Sequence, residues 1–435
     1  MGVLSLREYQ QIVRGPTFDP KNCVITEGQA QHLEVMSEYY EKHHQAPLFK
    51  HGRRGSLIAQ NFVGVIQMGQ DAVEILPKIE CAQDKQVRHN LTAMLVATLD
   101  IDLLEGEVSN MAEQNQGILD ILIRLFCRRL WDALRSGMVR RYEHREGNLS
   151  VLRGRLDFAR QARDNFAKPY LLACRFDEFT EDTTINRILK AALRLLVKVA
   201  RGSETQRQTA ELLFCFQDVE DVSPTVLPWH KVRTDRLTAR YAPLLRLARL
   251  FLENHPPDVT AGGSEGFALL FDMNVLFEEY IGRMCQRVFT RKGFRIGLQG
   301  PSNHLARNET GGLAFQLKPD VVASKDGNTV WIVDTKWKRL DIGKSRDGVL
   351  QADMYQMYAY SRRYATVDVV LLYPHHGGLG DQVGVRAEYN LLGVDNPSTK
   401  PTAKIRIATV DLRDLTKIPE QLGKLFEQSS IPHAA

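Results

Sequence analysis

At 435 residues the chain has room for two or three domains, and 43% apolar with 25% charged residues is ordinary for a globular protein. The formal charge of +5 permits contact with nucleic acid without requiring it. Six cysteines (23, 81, 127, 174, 215, 285) stand far apart with no Cys-x-x-Cys pair, which argues against a structural zinc cage and for a reducing compartment. With no secretory or myristoylation pattern at Met1–Leu6 and no run of eighteen apolar residues, a cytoplasmic protein is expected.

In chain order, a mixed α/β region is expected over residues 1–110. It holds a helix near Ala30–His43 and a hairpin of Gly64–Met68 with Val73–Leu76. A mainly helical region follows over 111–258. There Ile188, Ala191, Ala192, Leu195 and Leu196 recur at helical spacing, as do Leu244, Leu247, Ala248, Phe251 and Leu252. Between Asp120 and Asp164 eleven arginines stand against six acids, enough to account for the whole formal excess. Such a run is either the solvated side of a helix or a surface for phosphate or a partner. His255-Pro256-Pro257-Asp258 and Ala261-Gly262-Gly263-Ser264 read as a linker.

Over 265–435 the predicted order is α-β-β-β-α-β: a helix at about 269–289, strand 294–298, two alternating strands, a helix at about 349–364, and strand 367–372. The two central strands carry the chemistry. In the first, Leu313, Phe315, Leu317, Pro319 and Val321 alternate with Gln316, Lys318 and Asp320; in the second, Asp334 and Lys336 fall on one face by the period of two. Trp331 and Trp337 take the opposite, core-facing side. The turn Lys325-Asp326-Gly327-Asn328 imposes a parity condition. A two-residue loop would put Asp320 and Asp334 on opposite faces, so their cooperation requires an odd loop or a bulge.

Two facing carboxylates repel by roughly 4 kcal/mol at about 4 Å. Either one is protonated or a cation lies between them. Oxygen ligands without nearby His or Cys favour Mg²⁺, which polarises a phosphate and activates water. Lys336 is placed to orient or deprotonate that water. Asp-x-Lys by itself is a common pattern on solvated strands, so its flanks matter. On the preceding helix Glu278 has Val275, Ile281 and Gly282 as neighbours and is the acid pointed inward, whereas Glu279 lies on the wetter side. On the following helix Asp353, Gln356 and Tyr360 share a face suited either to DNA-backbone contact and site support or to a half-buried polar row.

Leu276-Phe277-Glu278, Pro319-Asp320, Asp334-Thr335-Lys336 and Gln356-Met357-Tyr358-Ala359-Tyr360 together resemble the PD-(D/E)xK nuclease core with its Q-x-x-x-Y helix. With Glu74-Ile75-Leu76-Pro77-Lys78-Ile79, Leu152-Arg153-Gly154-Arg155-Leu156 and Phe179–Arg187, the chain is similar more narrowly to the McrC family, nuclease subunits of McrBC modification-dependent restriction systems. The resemblance implies a restriction-endonuclease-like αβββαβ core and an Mg²⁺-dependent catalytic set of Asp320, Asp334 and Lys336, supported by Glu278, Gln356 and Tyr360. Metal would be held by Asp320, Asp334 and Glu278. It also implies a ring-forming AAA+ GTPase partner, double-stranded DNA with modified cytosine as substrate, and stimulation of the partner's GTP hydrolysis, with the region before the linker binding the ring. GTP would belong to the partner, because Gly343-Lys344-Ser345 lacks the upstream glycine of a phosphate-binding loop (position 338 is lysine). A self-sufficient nuclease and a non-catalytic adaptor of a DNA-acting motor are the alternatives.

Overall fold

The computed structural model describes residues 2–81, 83–99, 117–232, 235–236, 238–253, 267–366, 368–392 and 403–427. The chain forms two units, one of Met1–Ile118 with Pro256–Ala435 and one of Leu119–His255. The expected boundary near 110 and the Pro/Gly linker at 256–264 lie outside the described residues. The architecture is mixed α/β, built from several sheets with flanking helices.

In the first unit the helix Glu27–His44 is fixed at its start by a capping box between Thr26 and Gln29. The hairpin Phe62–Met68/Asp71–Leu76 is present, closed at Gly69-Gln70, and sits in a sheet ordered Val3–Arg7, Asp71–Leu76, Phe62–Met68, Phe267–Asp272. That last strand corrects the sequence reading, which began a helix at residue 269. Phe267–Phe271 is a continuous apolar run, compatible with a buried strand or a helix, and the free edge of Phe62–Met68 takes it as a strand. The helix begins only after Asp272, whose side chain accepts from Asn274 N.

A six-stranded sheet follows, ordered Arg295–Leu298, Val321–Lys325, Asn328–Thr335, Asp368–Pro374, Lys404–Val410, Gly384–Asn390. Its third to fifth strands run parallel and are buried almost throughout. One face packs on the helix Gln351–Arg363 through Ile332, Met357, Tyr360, Val369 and Leu371. On the other, Trp331 stacks on Phe426 of the helix Ile418–Phe426 and meets Phe289 of the helix Met273–Phe289 edge-on. The expected single strand through 313–321 is broken. Leu313–Leu317 instead pairs with Asn303–Arg307 in a separate hairpin, and Pro319, which cannot donate to a ladder, marks the break before Val321.

The second unit holds the helices Thr184–Val199, Ser203–Cys215 and Ala242–Glu253, with apolar faces buried. It also contains a sheet that helical periodicity did not anticipate: Arg141–Leu149, Leu172–Thr180 and Arg155–Leu156. The arginine run is correspondingly not one helix side. Arg145 and Arg153 pair with Glu178, Arg140 with Glu181 and Arg141 with Asp235, acids that lie beyond the counted window. The local charge excess is therefore offset in space. Gly154 sits at φ +67°, where a Cβ would meet the Arg175 carbonyl oxygen at 2.3 Å. Asn186 ties the carbonyls of Val139 and Glu181 to the next helix, a structural duty.

Candidate active site

The geometry begins with the hairpin between Val321–Lys325 and Asn328–Thr335. Its loop is the two-residue Asp326-Gly327, with both residues at positive φ (52° and 82°), as a turn of the primed type requires. Lys325 pairs with Asn328 and Ser324 with Thr329, a register that would send Asp320 and Asp334 to opposite faces. A bulge then intervenes: Ala323 pairs with Trp331, leaving Val330 extra, and Val321 pairs with Val333. The shifted register, continued by one residue, sets Asp320 against Asp334. A single inserted residue thus brings the two acids together.

Asp334 is 1% exposed and faces the helix Gln351–Arg363. Burial and then the Asp320 carboxylate push its pKa up, to about 7, against the opposing pull of Lys336. Asp320 rises to about 6, chiefly through burial and then Glu278, although Thr335 donates both its N–H (2.6 Å) and its hydroxyl (2.7 Å) to Oδ2. Both hydrogen bonds fall on that one oxygen, so Oδ1 keeps its lone pairs. The two carboxyls titrate as a pair near neutrality.

Lys336 Nζ lies 2.6 Å from Asp334 Oδ2, an ion pair that opposes the rise in the Asp334 pKa. Nζ also donates to Gln356 Oε1 (3.2 Å); Gln356 Nε2 donates to the Tyr360 hydroxyl (2.7 Å), which donates to the Lys318 carbonyl (3.2 Å). Burial alone would lower the Lys336 pKa, but Asp334, Asp353 and Asp320 outweigh it and hold it above its ordinary value. Asp334, Lys336, Gln356 and Tyr360 therefore form one chain of polar contacts, and Asp320 acts on Asp334 and Lys336 through its charge.

Glu278 joins it differently. It belongs to the helix Met273–Phe289 and accepts from Gln299 Nε2 (3.0 Å), while Lys318 Nζ donates to Gln299 Oε1 (2.8 Å) and Gln299 N donates to the Asp320 backbone carbonyl (2.9 Å). Glu278, Glu279, Arg283, Gln299 and Asp320, with Leu298 and Thr98, line a cleft of about 190 Å³. Among the described residues no three His, Cys, Asp or Glu side chains stand as a preassembled metal cage. The expected trio is a carboxylate pair with Glu278 turned to an amide. Mg²⁺ does not require a full protein cage: one or two carboxylates plus water and phosphate oxygens suffice. Asp320 Oδ1, which takes neither Thr335 bond, and the Asp334 carboxylate are hard oxygen donors of the kind such an ion takes.

Three contributors were not singled out in the sequence. Thr335 was legible as the middle residue of Asp-x-Lys, but its role depends on both donors meeting Asp320. Lys318 was legible only as a member of the alternating row with Gln316 and Asp320, and Gln299 carries no periodic signal; both lie in connections between strands. Asp353, already placed on the Gln356 face, is 8% exposed, with Lys338 Nζ 3.6 Å away. Trp331 and Trp337 are buried at 0% and 3%, not offered to bases. His375 and His376, in the loop after Pro374, bond to Thr409, Gly380 and Leu340.

Comparison with known proteins places these motifs in a family. Residues 57–374 match the family described as McrBC 5-methylcytosine restriction system component. The chain is 21% identical over 329 residues to the type IV methyl-directed restriction enzyme EcoKMcrBC of Escherichia coli strain K12, covering 72% of this chain and 88% of that protein. In fold it is similar to a chain of the Thermococcus gammatolerans assembly of McrB AAA+ hexamers with bound McrC, at TM-score 0.69, 18% identity and 98% and 99% coverage of the two chains. It is also similar to a chain of the T. gammatolerans McrBC complex, at TM-score 0.51 and 19% identity, covering 66% of this chain and 88% of that one. Among the described residues no helix is long and apolar enough to cross a membrane. The chain belongs to the family of McrBC 5-methylcytosine restriction system components.

Proposed function

We propose that this chain is the McrC-type subunit of its system, a PD-(D/E)xK endonuclease that hydrolyses phosphodiester bonds of double-stranded DNA carrying modified cytosine. The observation that carries the reading is the Asp320–Asp334 pair, both raised toward neutrality, with Asp334 buried beside Lys336 and Asp320 half-buried at the cleft wall. Holding two such carboxylates together is costly unless a cation joins them.

Asp320 and Asp334 are the groups that would hold Mg²⁺, with Glu278 at the cleft wall. When bound, the ion supplies Lewis-acid polarisation of the phosphate and a more acidic water. The protein's own part is positional. Thr335 fixes the Asp320 carboxylate through two hydrogen bonds, so its free oxygen has one orientation. Lys336, kept protonated by the surrounding acids, presents an ammonium that can orient water and stabilise charge developing on the phosphate. Gln356 and Tyr360 hold that ammonium from the helix side, and the Tyr360–Lys318 bond ties the same helix to the segment leading into Asp320.

One solved assembly similar in fold contains McrB AAA+ hexamers with bound McrC, which supports a ring-forming AAA+ GTPase as this chain's partner. GTP would bind there, and this chain would stimulate its hydrolysis. The test is cleavage of methylated DNA by the chain with its GTPase. Asp334→Ala and Lys336→Ala should abolish cutting while the protein folds and still raises the partner's GTPase rate. Unchanged cleavage by either variant would refute the site, and cutting by the chain without partner would favour a self-sufficient nuclease.

A further inference from the structure

The segment Glu74–Ile79 stands out in the sequence without a role in the chemistry above. Its position supplies one. Trp337, the residue after Lys336, is held from three sides. Its indole N–H donates to both oxygens of Glu8 (2.9 and 3.0 Å), its carbonyl accepts from Lys78 Nζ (3.0 Å), and its ring packs on Phe277, the residue before Glu278, with centroids 5.3 Å apart. Glu8 is 4% exposed and also accepts from Lys78 N (2.9 Å). The Lys78 ammonium lies over the rings of Tyr9 and Trp337, and Arg339 closes the bend by donating to the Lys78 carbonyl (2.8 Å) while pairing with Glu80. On the other side of Lys336, its N–H donates to the Leu372 carbonyl (2.9 Å).

A buried charge is expensive, and an exposed tether would hold the strand end as firmly as a buried one if only attachment mattered. Here a buried carboxylate and a half-buried ammonium converge on one residue, the one whose backbone sets the direction of Lys336 and whose ring braces the helix of Glu278. We propose that Glu8 and Lys78 are positioning residues for Lys336: they clamp Trp337 from the N-terminal segment and so set where the lysine ammonium stands beside Asp334. The proposal rests on the nuclease reading of that site. The clamp touches neither metal nor substrate, so its contribution is to rate at saturation rather than to binding, and displacing a catalytic group by about 1 Å can cost on the order of a hundredfold.

The experiment compares wild type, Lys78→Met, Lys78→Arg and Glu8→Gln in two measurements on the full chain. The first is steady-state cleavage with the GTPase partner, and the second is hydrogen–deuterium exchange without DNA. Lys78→Met should lower kcat by about tenfold or more with KM for DNA within about twofold, and Lys78→Arg should recover much of it. Exchange should quicken at the amides of residues 336–338 ahead of the rest of the sheet. Should Lys78→Met fold poorly, Glu8→Gln, which keeps an acceptor for the indole, reads the same two quantities. Unchanged kcat per folded molecule, or exchange that quickens uniformly, would make the contact simple packing and overturn the proposal. Absence of cleavage by wild type would count against the nuclease reading instead, leaving exchange at 336–338 to decide whether the clamp exists.

Discussion

Replacing Asp334 with asparagine should make the protein more stable in chelating buffer at pH 8 while removing its cleavage activity. The carboxyl is 1% exposed and raised to about 7 by burial and by Asp320. Between the ordinary value of 3.8 and about 7, the folded state therefore holds more protons than the unfolded one. By linkage, stability falls as pH rises through that window, and the loss is complete above it. At 1.36 kcal/mol per pH unit the ionised form costs on the order of 4 kcal/mol. Because Asp320 and Lys336 act on this carboxyl in opposite senses, a difference of about 2–4 kcal/mol is expected. Asparagine resembles the protonated acid, so the two proteins should be nearly equal in stability at pH 5, with the variant ahead at pH 8. Urea denaturation at intervals from pH 5 to 8.5, with EDTA, measures the difference. Parallel stability curves would show that the two carboxyls do not strain each other, and the electrostatic case for a cation there would fall.

Other outcomes follow from the same geometry. Millimolar Mg²⁺ at pH 8 should raise the melting temperature of the wild type and leave Asp334→Asn nearly unmoved, since a ligand stabilises only the state that binds it; equal shifts in both would place the ion elsewhere. Deleting Val330 removes the bulge and reverses the parity between Asp320 and Asp334, so cleavage should vanish, whereas Gly327→Ala, at φ +82°, should cost only about 1 kcal/mol of stability and leave kcat intact. Asp368→Ala strips the buried Arg406 guanidinium of a two-pronged partner and should cost about 3–5 kcal/mol in denaturant unfolding. That loss should come without a change in kcat of the folded fraction.

Alternation alone was enough to put Asp334 and Lys336 on one strand face, and the Asp-Gly turn located the hairpin. Helical spacing grouped Gln356 with Tyr360 and turned Glu278 inward. These are local properties, since the period of an element is written in a few neighbouring side chains. Whether Asp320 joins Asp334 could be posed from the sequence only as a condition, because the bulge at Val330 depends on which residue of the partner strand is skipped. Phe267–Phe271 is apolar at every position and suits either element until the edge of Phe62–Met68 is there to pair with it. The arginine run has a visible charge, but its partners Glu178, Glu181 and Asp235 arrive from later segments. The hold of Glu8 and Lys78 on Trp337 joins residues some 260 to 330 positions apart. No local period encodes such a contact; it exists only once the N-terminal segment and the central strand share a core.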